Sequence, residues 1–124
     1  MTPDLSVSIG PISLGRPTML ASGILGISLE VFGRIYRNGA GAVVSKSLSK
    51  EPWEGYPNPT IIGVKNGYLN AVGLSNPGAP YFAKMMESNR DVPIIVSLVG
   101  SIEDEFEFMV KQFDNCNVTA YELN

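Results

Sequence analysis

Apolar and polar positions alternate at the front of the chain, where Leu5, Val7 and Ile9 are separated by Ser6 and Ser8; Gly10-Pro11 and then Ile12-Ser13-Leu14 follow. Period-two alternation on both sides of a Gly-Pro step predicts a short β-hairpin. An apolar run over 18–21 reads as a brief strand that ends in Ser22-Gly23. The period then changes. Ser28 stands as an N-cap, Val31, Phe32 and Ile35 continue an apolar face, and Asn38-Gly39 stops it, which predicts a helix. Residues 42–45 form a second continuous apolar strand, with Lys46 just past its end. Between 47 and 80 the pattern breaks up under Pro52, Pro57, Pro59 and Pro77 together with Gly63, Gly67 and Gly73, so this region is expected to be a long functional loop.

Regularity returns beyond Pro80. Residues 81–89 predict a short helix with Phe82, Met85 and Met86 on one side, and 93–99 form a near-continuous apolar strand. Ser101 with Asp104 matches a capping pattern, after which Phe106, Met109, Val110 and Phe113 keep helical spacing as far as Asn115. A last strand occupies 118–124. Apolar strands alternating with helices predict a parallel sheet of about four strands covered by helices. A pattern that closes on a strand predicts the front half of a larger domain. Periodicity leaves open whether that domain is a barrel or an open sheet.

Composition narrows the function. The 124 residues are 44% hydrophobic and 17% charged, enough for one small domain. A net charge of -3 with scattered Lys and Arg provides no basic field for nucleic acid or an anionic membrane. One cysteine, Cys116, and no histidine exclude an internal disulfide, structural zinc and a Ser-His or Cys-His pair within this chain. No apolar run approaches the roughly 20 residues of a membrane span. The opening MTPDLSVSIG lacks the features of a signal peptide, so a cytoplasmic location is expected.

In barrels and open parallel sheets alike, ligands sit at the carboxyl ends of the strands. Those ends carry Ala21-Ser22-Gly23, Ser45-Lys46-Ser47, Ser97 to Gly100, and Asn124. Taken singly, each has an ordinary structural explanation: a tight turn, a solvated lysine, a terminal cap. The stretch NAVGLSNPG, from Asn70 to Gly78, adds two Asn, two Gly and one Pro around Val72 and Leu74. Glycine adopts backbone conformations closed to other residues and asparagine both donates and accepts, so this segment reads as built to hold something polar.

In order along the chain, LSVSIGPISLGRPTMLASG, VVSKS, NAVGLSNPG and YELN resemble the dihydroorotate dehydrogenase family, from Leu5 to Asn124. The resemblance implies the N-terminal half of a (β/α)8 TIM barrel preceded by a β-hairpin, with residues 1–124 forming part of one FMN-binding domain. It implies oxidation of dihydroorotate to orotate with hydride transfer to FMN. Ala21, Ser22 and Gly23 resemble the turn against the flavin, and Ser47 a hydroxyl contributed to it. Lys46 resembles a lysine reaching flavin and orotate. Asn70 resembles an amide on the pyrimidine, with the Val72-Gly73-Leu74 backbone meeting the substrate carboxylate and the apolar side chains pointing away as anchors. Asn124 resembles an asparagine that contacts both substrate and flavin.

Departures accompany the match. Arg16 stands where the family commonly has asparagine, and Ser97 where a related branch has it. In the class 1 enzymes of the family the base is the cysteine of the motif that begins at Asn124, a few residues beyond it, and the phosphate site is built after strands seven and eight. The fragment alone is therefore expected to be inactive and to bind FMN weakly, with the rest of the barrel as a separate or missing segment. Cys116, at the end of a predicted helix, reads as a packed or peripheral thiol. The opening resembles the class 1B catalytic subunit rather than the membrane-attached class. That implies an iron-sulfur, FAD-containing partner subunit passing electrons to NAD, and a homodimer is expected as well. Two further readings stay open: another FMN barrel acting on a pyrimidine, similar to dihydropyrimidine dehydrogenase, and an inactive half-barrel whose open edge pairs with another chain. Trp53 and Tyr56, in EPWEGYPNP, read either as a lid base packed over the rim or as a subunit contact.

Overall fold

The computed structural model describes residues 3–124. The front hairpin forms as the alternation predicts. β1 (Val7–Ile9) pairs antiparallel with β2 (Ile12–Leu14) in the register Val7 to Leu14 and Ile9 to Ile12, leaving Gly10-Pro11 as the turn. β3 (Met19–Leu20) is followed by α1 (Leu29–Arg37) and β4 (Ala42–Val44). After the long connection come α2 (Ala79–Met86), β7 (Ile94–Leu98), α3 (Glu103–Lys111) and β8 (Ala120–Leu123). Strands β3, β4, β7 and β8 lie side by side in that order, every pair parallel, with a helix in each crossover. The chain is thus α/β, with a four-stranded parallel sheet preceded by a hairpin, as expected.

The registers set which residues share a face. Leu20 pairs with Val43 and Val43 with Ile94, and Val96 with Tyr121; these positions belong to or pack on one core with Phe32, Phe82, Met86, Met109 and Phe113 from the helical layer. Phe32, Phe82, Phe113 and Tyr121 form a run of tilted or edge-on rings with centroids 6.2, 6.5 and 6.1 Å apart. Each such pair adds about 1 kcal/mol beyond its buried area. The opposite face carries Met19, Ser97 and Glu122, with Ser97 directly across from Glu122.

The structure corrects the reading in two places and refines it in a third. The region expected to be a structureless loop contains β5 (Ile61–Val64) and β6 (Gly67–Asn70), paired antiparallel around Lys65-Asn66. All eight strand residues are exposed, so neither face needs to be apolar and no period of two appears. The expected cap of α3 also differs: Ile102 is the N-cap, without a side-chain bond, and the Ser101 N–H donates instead to Glu105 Oε2 at 2.8 Å. At α1, Ser28 does occupy the N-cap position in extended backbone, but its carbonyl rather than its hydroxyl serves the helix, accepting from the Phe32 N–H at 3.0 Å. Among the described residues no helix is long and apolar enough to cross a membrane.

Candidate functional site

The carboxyl ends of the four parallel strands are tied to one another by side chains. Ser47 Oγ, past β4, lies 3.4 Å from Ser22 Oγ past β3 and 3.0 Å from Ser97 Oγ on β7, and it accepts from Asn124 Nδ2, past β8, at 3.3 Å. Beneath this string, the Ser97 N–H donates to Ser45 Oγ at 2.9 Å, and that hydroxyl donates onward to the Lys46 carbonyl at 3.1 Å. Ser45 and Ser97 are wholly buried and Ser47 nearly so. Buried hydroxyls in such number persist because each finds a partner.

Backbone packing fixes the rim as firmly. The Lys46 N–H donates to the Gly26 carbonyl at 2.7 Å, and a Cβ on Gly26 would stand 2.3 Å from the Lys46 nitrogen. Only glycine allows that approach. The loop after β3 is thereby pressed against the start of the loop after β4.

The NAVGLSNPG segment is held differently. Gly73 has φ 75° and Leu74 has φ 56°, the one non-glycine among the described residues in the left-handed region. An alanine at Gly73 would bring its Cβ within 2.6 Å of the Tyr56 ring. The lock is Asn76, a residue for which the sequence suggested no role. Its Oδ1 accepts from the backbone N–H groups of Ser49 and Gly78 at 3.1 and 2.9 Å. Its Nδ2 donates to the Leu74 carbonyl at 2.8 Å and to Ser49 Oγ at 2.9 Å. Its backbone exchanges two hydrogen bonds with Trp53, at 2.9 and 2.8 Å. The signal for it was present: an asparagine before Pro-Gly, two residues short of a helix, supplies the side-chain acceptor that such a turn uses.

These two constructions enclose adjoining cavities. One of about 430 Å³ is lined by Ser22, Gly23, Lys46, Ser47, Leu74 and the β8 end, including Glu122 and Asn124. The other, about 960 Å³, has Asn70, Val72 and Gly73 in its wall, with Ser22, Gly23, Lys46 and Leu74 shared between the two. The structure therefore brings together every sequence-suggested site residue except Ala21, which is exposed and lines neither cavity. It also reverses the expected role of the apolar pair. Val72 lines the larger cavity and Leu74, 47% exposed, lines both, so they are wall and not anchor. Trp53 lines the larger cavity while remaining 55% exposed. Ser45 and Glu122 carried no assignment in the sequence reading, and Ser97 was set aside.

Cys116 stands apart from this rim. It donates to the Ala83 carbonyl at 3.3 Å, and burial, aided by the negative charge of Glu87, pushes its thiol above the ordinary range. Its surroundings are those of a packed thiol rather than an activated one.

Comparison with known proteins accords with this geometry. The family described as dihydroorotate dehydrogenase matches residues 4–124. The catalytic subunit of dihydroorotate dehydrogenase B (NAD(+)) from Methanothermobacter thermautotrophicus is 47% identical over 103 residues, which are 82% of this chain and 34% of that protein. The subunits of the same name from Pyrococcus abyssi and Archaeoglobus fulgidus are 40% and 42% identical over 97% of this chain. The chain spans 40% and 41% of the length of those two relatives. A family of TIM barrels accounts for the parallel strands, the crossover helices and a site at the strand ends, and by the match over residues 4–124 this chain belongs to the dihydroorotate dehydrogenase family.

Proposed function

We propose that the protein to which this chain contributes oxidises dihydroorotate to orotate in pyrimidine biosynthesis, with FMN as hydride acceptor, and that residues 1–124 are the N-terminal portion of its barrel. The observation that carries the reading is the linked rim: hydroxyls and an amide from all four strand ends, with Lys46 beside them, facing two cavities that share a wall.

The chemistry of the donors fits a flavin. An isoalloxazine edge is a row of carbonyl oxygens and ring nitrogens, and Ser22, Ser47, Lys46 and Asn124 offer hydroxyl, ammonium and amide hydrogens along one side of the smaller cavity. At Gly23 a side chain would meet nothing within 4 Å, so the chain there is open to a flat group. FMN supplies an acceptor for the hydride leaving C6 of dihydroorotate. Lys46, a fixed cation on the shared wall, favours a ring that gains negative charge and holds the substrate's polar edge. Asn70 hydrogen-bonds the pyrimidine. The Val72-Gly73-Leu74 backbone, with Gly73 and Leu74 in the left-handed region, would meet the substrate carboxylate with its N–H groups. None of these residues is proposed as the base that takes the C5 proton.

The relatives are named as catalytic subunits of an NAD(+) enzyme. On that ground the proposed partner is a second subunit carrying electrons to NAD; a second copy of the chain is proposed on the family resemblance alone. The test is anaerobic titration of the full-length, flavin-loaded protein. Dihydroorotate should bleach the flavin absorbance stoichiometrically. A flavin that dihydroorotate leaves oxidised, in a protein that instead reduces uracil, overturns the reading in favour of a pyrimidine reductase.

A further inference from the structure

Ser97 is wholly buried, and among the described residues its hydroxyl has a single partner, Ser47 Oγ at 3.0 Å. A buried hydroxyl with one partner donates to it, because an unused proton is costlier to bury than an unused lone pair. Ser47 Oγ then accepts twice, from Ser97 Oγ and from Asn124 Nδ2 at 3.3 Å, and both of its lone pairs are filled. Its one remaining capacity is its own proton. Among the described residues the only acceptor for it is Ser22 Oγ, 3.4 Å away at the outer limit of a hydrogen bond and on an exposed residue; the alternative is an acceptor inside the smaller cavity, which Ser47 lines.

We infer that Ser97 is a positioning residue that makes Ser47 an obligate hydrogen-bond donor to a ligand acceptor in the smaller cavity. This rests on the flavin reading above, with a carbonyl oxygen or unprotonated nitrogen of the isoalloxazine as that acceptor. Ser97 touches no ligand itself. Its backbone N–H bond to Ser45 Oγ, at 2.9 Å, does not use the hydroxyl, so removing the hydroxyl leaves the strand end attached.

A double-mutant cycle on the full-length protein tests this, with the dissociation constant for FMN read by quenching of flavin fluorescence on titration into apoprotein, and melting temperature read in parallel. Ser47→Ala should weaken FMN about tenfold and Ser97→Ala about fivefold, the worth of one oriented hydrogen bond. Ser97→Ala placed on Ser47→Ala should cost nothing further, since Ser97 acts only through Ser47. Ser97→Thr, which keeps the hydroxyl, should restore most of the affinity. If the two single effects simply add, or if Ser97→Thr binds no better than Ser97→Ala at equal melting temperature, the inference is overturned while the flavin reading stands. Wild-type protein that takes up no FMN overturns the flavin reading, and the inference with it.

Discussion

The two halves of the candidate site are positioned by different means. The smaller cavity is walled by strand ends: Ser47 and Asn124 sit one to three residues past hydrogen-bonded β-structure, and the sheet registers decide where they stand. The larger cavity is walled in good part by a loop, from Asn70 to Pro77, that owes its shape to one buried asparagine and two left-handed residues. Precision on the first side is inherited from the core. On the second it is made locally, by hydrogen bonds that one substitution can remove.

The comparison breaks most forcefully at Gly26. Alanine there puts a methyl group 2.3 Å from the Lys46 backbone nitrogen, so the rim must move as a backbone unit. Gly26→Ala should cost about 3 kcal/mol in urea denaturation and weaken FMN and orotate together, since Lys46 lines both cavities. Unchanged FMN affinity in that variant would sink the idea of a rim set by strand packing. Asn76→Ala strikes the other half. It strands the N–H groups of Ser49 and Gly78, and a loss of about 2 kcal/mol is expected. The informative readout is selective: orotate affinity should fall tenfold or more while FMN affinity changes less than twofold. Equal losses for both ligands would show that the two halves are not separable. The smallest effect sharpens the comparison from outside it. Because its thiol is shifted upward, Cys116 holds less thiolate at any pH below that range than an unstructured cysteine does. Alkylation at pH 8 should run several-fold slower than after unfolding, and bound FMN should not alter the rate. Protection by FMN would place Cys116 in the site.

What was legible in the sequence follows the same division. The rim was readable because buried parallel strands are continuous apolar runs, and the residues just past Val44 and just past Leu123 stand out against them as Ser-Lys-Ser and Asn. Ser97 was visible for the same reason, a hydroxyl inside IIVSLV, but its meaning depended on a register that brings it to Ser47 from fifty residues away. The loop half was readable in kind but not in detail. Gly and Asn advertised special backbone around 70–78, yet nothing local says which asparagine faces inward: Asn70 is exposed while Asn76 is buried. The β5–β6 hairpin escaped because burial, which writes alternation into a strand, is absent there. The capping bond of Ser101 went to Glu105 instead of the expected geometry, a difference of one residue in where the helix starts.

The wall shared by the two cavities, Ser22, Gly23, Lys46 and Leu74, has a thermodynamic corollary. A molecule seated in one cavity becomes part of the boundary of the other, so the two occupancies are linked equilibria. On the proposed function, whatever factor by which bound flavin changes the affinity for the pyrimidine, the pyrimidine changes the affinity for flavin by the same factor, because the free energy around the cycle closes. On the proposed function, a pyrimidine that tightens the hold on flavin makes retention of the flavin depend on the pyrimidine concentration as well as on the polypeptide.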